Sequence, residues 1–226
     1  MKKAIAGLGC AAVMAMATSA QAAYIIEVDT DGADDAVLTY NANFSFGGDT
    51  TSASQSSTSV AVGMTGGDSI FGGNGVNDPD TYVFSYTPAV DGDNAVVDGL
   101  ALNFNGDVGS LIDAGGSGDY VIYATWPWTD NTSGGPVTFT LNDGISDILT
   151  LIFDQNDGGD GTGSNWINLG TATLDANTAY TLTQEAGSNT FVSMRSAGVM
   201  FDPVPEPASL ALLGLGGLAM LSRKRR

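Results

Sequence analysis

Histidine is missing from this chain of 226 residues, and between residues 11 and 222 there is no cysteine, no lysine and a single arginine, Arg195. Each absence excludes something. Without histidine, cysteine or lysine there is no ordinary general base, no thiolate nucleophile and no amine for a Schiff base. The commonest zinc ligands are missing as well. Cys10, the one cysteine, stands alone near the start, so no disulfide can form within the chain. Stability has to come from packing, or from packing plus a metal ion. With almost no base to neutralise phosphate, nucleic acid is excluded as a direct partner.

What is present is acid and turn chemistry. Of the 25 acidic residues only Glu206 lies outside Tyr24–Val204, and of the seven basic residues only Arg195 lies inside it, which leaves that segment a formal charge near −23. Its only glutamates are Glu27 and Glu185, and the other acids are aspartates, interspersed among many of the 31 glycines. Aspartate beside glycine is turn material, so much of this acidity belongs to the loops of an all-β protein.

All other positive charge sits at the two ends. Met1-Lys2-Lys3 is a cationic opening, Ala4 to Ala17 is apolar, and Ala20-Gln21-Ala22 puts small residues where a signal peptidase reads. This order defines a secretory signal, residues 1–22, with cleavage after Ala22. Cys10 leaves with it. At the other end, Val204-Pro205-Glu206-Pro207 precedes an apolar run from Ala208 to Leu221 and then Ser222-Arg223-Lys224-Arg225-Arg226. The prolines bar a helix from running back into the preceding domain. The basic end anchors the run on the cytoplasmic side of a membrane. As a helix, Ala208 to Leu221 reaches about 21 Å against a bilayer core of about 30 Å. Such a helix suits transient holding better than permanent anchorage. Residues 204–226 resemble the PEP-CTERM sorting tail of exported proteins of Gram-negative bacteria. The resemblance implies export across the inner membrane, handling by an exosortase-like enzyme near Pro205, Glu206 and Pro207, and a final place at the cell surface or outside the cell.

Between the ends, residues 23–203 read as short strands separated by Gly, Asp, Asn and Ser clusters, with no helical periodicity. Expected strands are Tyr24 to Val28, one or two in Val37 to Phe46, Thr81 to Thr87, Val96 to Phe104, Asp119 to Trp126, Val137 to Leu141, Ile148 to Phe153, Trp166 to Leu174, Ala179 to Thr183 and Phe191 to Phe201. Residues 49–59 and 66–80 read as loops, the first of them mobile. Strands at this spacing predict an all-β, antiparallel, jelly-roll-like sandwich in one domain. In Asp119–Trp126 the alternation is clearest: Tyr120, Ile122, Ala124 and Trp126 share one face and Val121, Tyr123 and Thr125 the other. Pro127 ends the strand.

The stretch Gly118-Asp119-Tyr120-Val121-Ile122-Tyr123-Ala124-Thr125-Trp126-Pro127, with Val137–Leu141, Asp143-Gly144, Asn165–Thr171 and Ala197–Phe201, resembles the golvesin / xanthan-lyase C-terminal-like domain. The resemblance implies a jelly-roll sandwich grouped with carbohydrate-binding modules. Ala197 and Gly198 stand where that family often has an aspartate.

Candidate sites follow from residue type. Sugar recognition uses aromatic faces with Asp and Asn hydrogen bonds. Trp126 and Trp166 fall inside strand patterns and belong to the core, whereas Trp128, past Pro127, and Tyr123, opposite Trp126, are the candidate sugar contacts. Calcium is the metal that aspartate loops could hold. The segments considered are Asn74–Asp80, Asp91–Asn94 and, foremost, Asp154, Asn156, Asp157 and Asp160. None has the EF-hand pattern, and solvated turns are the plainer reading. For Arg195 an ion pair with an aspartate is favoured over a ligand contact. The sequence thus describes an exported, noncatalytic matrix or surface protein that contacts exopolysaccharide. A polysaccharide hydrolase using two carboxylates and a self-associating matrix protein without a ligand remain the alternatives.

Overall fold

The computed structural model describes residues 22–48, 57–72, 80–91, 95–98, 115–127, 136–155, 165–186 and 194–204. The expected secretory signal (save Ala22) and the 205–226 tail lie outside them. Among the described residues there are twelve strands and no helix: β1 (Ala22–Glu27), β2 (Phe44–Gly47), β3 (Ile70–Gly72), β4 (Thr81–Tyr86), β5 (Ala95–Asp98), β6 (Gly118–Thr125), β7 (Pro136–Asn142), β8 (Asp147–Asp154), β9 (Ile167–Leu174), β10 (Tyr180–Ala186), β11 (Met194–Ser196) and β12 (Gly198–Pro203).

One sheet runs β5-β1-β12-β6-β9 and the other β2-β4-β10-β7-β8, all antiparallel; β3 and β11 pair separately. Leaving aside the marginal β5 and β2, the sheets read β1-β12-β6-β9 and β4-β10-β7-β8. The chain changes sheet at each step between these eight strands except in the β7–β8 hairpin. This is the jelly-roll order, and it fulfils the sequence expectation.

Alternation explains the layering. Tyr82, Phe84 and Tyr86 of β4 face Tyr120, Ile122 and Ala124 of β6 and Val199 and Phe201 of β12 in one buried cluster. Tyr86 stacks on Phe201 at 4.5 Å and tilts against Tyr24 at 4.7 Å, bridging the two sheets. Each large aromatic buried this way contributes about 2–3 kcal/mol from removal of apolar surface, which answers the lack of disulfides. Gly170 marks a close approach between the sheets: its φ is +137°, and a Cβ there would lie 2.7 Å from Leu149 of β8. The β6–β9 register shifts at the facing Ile122/Tyr123 step.

Three expectations need correction. The 66–80 loop contains β3, and the expected strand Phe191 to Phe201 is broken at Ala197 into β11 and β12, because the chain leaves the β3 pairing there to join the large sheet. Within the expected mobile loop, Ser57–Ser59 are tied down: the Ser57 carbonyl accepts from Ser69 N–H at 2.9 Å, and buried Ser59 Oγ meets Thr125 Oγ1 at 2.7 Å.

Candidate functional site at one end of the sandwich

Jelly-roll topology gathers the ends of β1, β6, β8 and β10 and the start of β4 at one end of the sandwich, beside the β3–β11 pair. The segments carrying Trp128 and the foremost calcium candidates both leave from this end, after Pro127 and Gln155. Trp128, Asn156, Asp157 and Asp160 themselves lie outside the described residues; Asp154 is half-buried at the end of β8.

Trp126, as expected, is core. Its ring packs on Phe139 and Phe153, and its Nε1–H donates to the Gln155 carbonyl at 3.2 Å. Gln155 is fully buried and acts as a one-residue strand partner. Its Oε1 accepts from Arg195 N–H at 3.0 Å, and its Nε2 donates to the Arg195 carbonyl at 2.7 Å. Gln184 Nε2 donates to the same carbonyl at 2.8 Å. The Arg195 backbone thus turns its polar groups away from β3, which places its side chain against the cross-strand neighbour Phe71, with the guanidinium carbon 5.2 Å from the ring centroid.

The ion pair expected for Arg195 is not found. Among the described residues no carboxylate pairs with it, although it is only 8% exposed, and its Nε and Nη1 are buried without a hydrogen-bond partner. Burial holds its pKa below the ordinary arginine value. The sequence could not foresee this: 22 aspartates make a partner look inevitable, but several of them, such as Asp31, Asp35, Asp91 and Asp143, accept from nearby N–H groups in turns.

A second group, which sequence reading missed, begins at the last residue of β1. Glu27 accepts from Thr65 N–H and Oγ1 at 2.7 and 2.9 Å, while burial pushes its pKa up. Asp29, also raised by burial, accepts from Thr39 N–H at 2.8 Å and Asp68 N–H at 3.1 Å. Asp68 Oδ2 accepts from Ala36 N–H at 2.6 Å, and its Oδ1 is buried without a partner. Burial, with the neighbouring Asp34 carboxyl, pushes Asp68 up to about 6. Among the described residues no three acidic, histidine or cysteine side chains converge so as to hold a metal ion. The only advance signal was the run Asp31–Asp35; Asp68 is too distant in sequence to be linked to it.

Tyr123 lies on the outer face of the β1–β12–β6 sheet. It packs with Met64 and Trp166 against Ala23, Ile25 and Met200, and burial with the nearby Asp202 raises its pKa. Asp202 is itself pushed up to about 6 by burial. Trp166 Nε1–H donates to the Val62 carbonyl at 2.8 Å, pinning the 57–68 segment over this face. Of the other calcium candidates, Asp80 is buried, and Asp91 spends its Oδ2 on Thr87 N–H at 2.6 Å.

Residues 203–226 match the PEP-CTERM protein-sorting motif, so the chain carries the signal of an exported protein handled by an exosortase-like enzyme. No curated protein matches the sequence. Among solved structures the chain is similar to a Paenibacillus xanthan lyase (18% identity, TM-score 0.44, covering 82% of this chain and 13% of that one). It is also similar to an insecticidal crystal protein (16%, 0.38, 66% and 19%) and to a Podospora anserina β-(1,4)-mannanase (15%, 0.39, 83% and 29%). The chain thus spans less than a third of the length of each. Among the described residues no helix is long and apolar enough to cross a membrane.

Proposed function

We propose that this is a noncatalytic surface or matrix protein of a Gram-negative cell, held briefly by its tail, released by an exosortase-like enzyme, and turned toward exopolysaccharide by the polar, aromatic end of its sandwich. The sorting motif at 203–226 carries the reading. The last ladder contact among the described residues supports it: Val204 N–H donates to the Asp119 carbonyl at 2.7 Å, one residue before Pro205. A cut near Pro205, Glu206 and Pro207 therefore leaves the described ladders intact. At the front, removal of residues 1–22 leaves Ala23–Glu27 in the β1 ladder. The sugar contact draws on the golvesin-like resemblance and on Trp126, Gln155 and Arg195 being linked near Pro127, the residue before Trp128 in sequence. Calcium at 154–160 belongs to the same reading, and identical melting curves with calcium and with chelator would remove it.

Intact mass of the exported protein tests the central claim. Two truncations are expected, one after Ala22 and one near Pro205. Pro205→Ala with Pro207→Ala should leave the tail attached and the protein membrane-held. Recovery of an uncut chain from cells with active exosortase would sink the proposal.

A further inference from the structure

We infer that Arg195 receives a carboxylate of an acidic polysaccharide, such as a uronate; this rests on the glycan contact proposed above and names its chemical class. Arg195 is the only cation between Lys3 and Arg223. Its backbone is clamped by Gln155 and Gln184, both buried, and its guanidinium carbon lies over the Phe71 ring. Yet the Nε–H and both N–H groups of Nη1 donate to nothing. A buried guanidinium without a counter-ion destabilises a fold, and a well-packed apolar side chain would serve stability better at this position. The placement is so well determined, and so unrewarded within the chain, that it fits a site prepared for a partner. A carboxylate oxygen accepts from either orphaned nitrogen, and the charge-assisted hydrogen bond offsets the cost of the unpaired guanidinium.

Two features follow. Both orphaned nitrogens are sealed from solvent, so the carboxylate must replace that seal, and association is slower than for an open surface. The surrounding segment is strongly acidic, so its field repels the ligand that Arg195 attracts. Raising salt from low to physiological ionic strength therefore tightens binding, the reverse of a basic surface taking a polyanion.

The test uses the full chain in detergent, with polygalacturonate and its fully methyl-esterified form as probes, and Arg195→Met and Arg195→Lys as variants. Wild type should bind the acid polymer at least about tenfold more tightly than the ester, the worth of a charge-assisted hydrogen bond. Arg195→Met should lose that preference while melting at the same temperature or higher, and Arg195→Lys, which keeps the charge but not the planar set of donors, should retain only part of it. Unchanged acid binding in Arg195→Met would overturn the inference, as would a large fall in its melting temperature, because the guanidinium would then be satisfied inside the fold. Equal wild-type binding to acid and ester overturns the inference but leaves the glycan contact standing. Binding to neither overturns both.

Discussion

The two ends of the sandwich follow opposite rules. At the end where β6 and β12 meet Gly118 and Pro203, polar groups find partners close by. Tyr120 Oη donates to the Gly116 carbonyl at 2.8 Å, Tyr180 Oη accepts from Asp175 N–H at 2.7 Å, Asn177 N–H donates to the Pro88 carbonyl at 2.8 Å, and Asp143 accepts from Ile145 and Ser146 N–H at 2.8 and 2.7 Å. At the Trp126 end, Asp68 Oδ1, Ser69 Oγ, Gln184 Oε1, Ser196 Oγ and two nitrogens of Arg195 are buried without partners. Native folds rarely leave such groups unmet. Their concentration at one end among the described residues teaches that the first end is built for stability, while the second gives some up where the candidate site lies.

The hardest test of that division removes an aromatic from the settled side. Tyr86 contacts the rings of Tyr24, Tyr120 and Phe201. Tyr86→Ala should cost about 3–5 kcal/mol, read by denaturant unfolding, and a loss under about 1 kcal/mol would show that this core does not hold the domain. Next in size comes a matched pair of truncations. Gln155→Ala strands the buried Arg195 N–H and should cost about 2 kcal/mol. Ser117→Ala removes an acceptor from Ala176 N–H in an exposed setting and should cost below about 0.5 kcal/mol. Equal losses would erase the contrast between the ends.

How much of this could be read beforehand depends on period. Tyr82, Phe84 and Tyr86, and Tyr120 to Trp126, alternate long enough to declare both strand and face, and with Pro127 they also located a strand end. β3 and β11 are three residues each, too short for any period to show. Gln155 standing in for a strand edge is a tertiary fact with no sequence mark. The aspartate loops looked alike, so the calcium candidates were drawn from 74–80, 91–94 and 154–160, while of the buried aspartates only Asp80 falls in those segments and Asp29 and Asp68 fall outside them. What separates a buried aspartate from a solvated one is the chain that covers it, here a segment some forty residues away.

Gly170 belongs to neither end and serves as the neutral reference. Gly170→Val places a branched side chain at φ +137° against Leu149 and should cost about 1–3 kcal/mol through overpacking, without altering glycan binding. A change in binding would mean that the β8–β9 seam communicates with the Trp126 end.

The subtlest difference is in the sign of the pH response. Asp68 has a folded pKa raised to about 6, so it binds its proton more readily folded than unfolded. Its contribution is fully present below the unfolded value near 4 and is lost as pH rises through about 6. Asp202, also near 6, acts in the same direction from the outer face of the sheet. Asp143 at the β7–β8 hairpin is held below its ordinary value by Ser146 and Ile145 N–H groups, so its contribution is present above the unfolded value and is lost as pH falls through the folded one. Melting curves should therefore shift downward between about pH 4 and pH 6–7 in the wild type. Asp68→Asn should flatten that fall and raise the melting temperature at neutral pH. Asp143→Ala should leave the fall in place and erode stability only on the neutral side. If Asp68→Asn left the slope unchanged, the strained carboxyl would have to be sought at Asp202, and the acidic group at the Trp126 end would be as settled as the hairpin opposite.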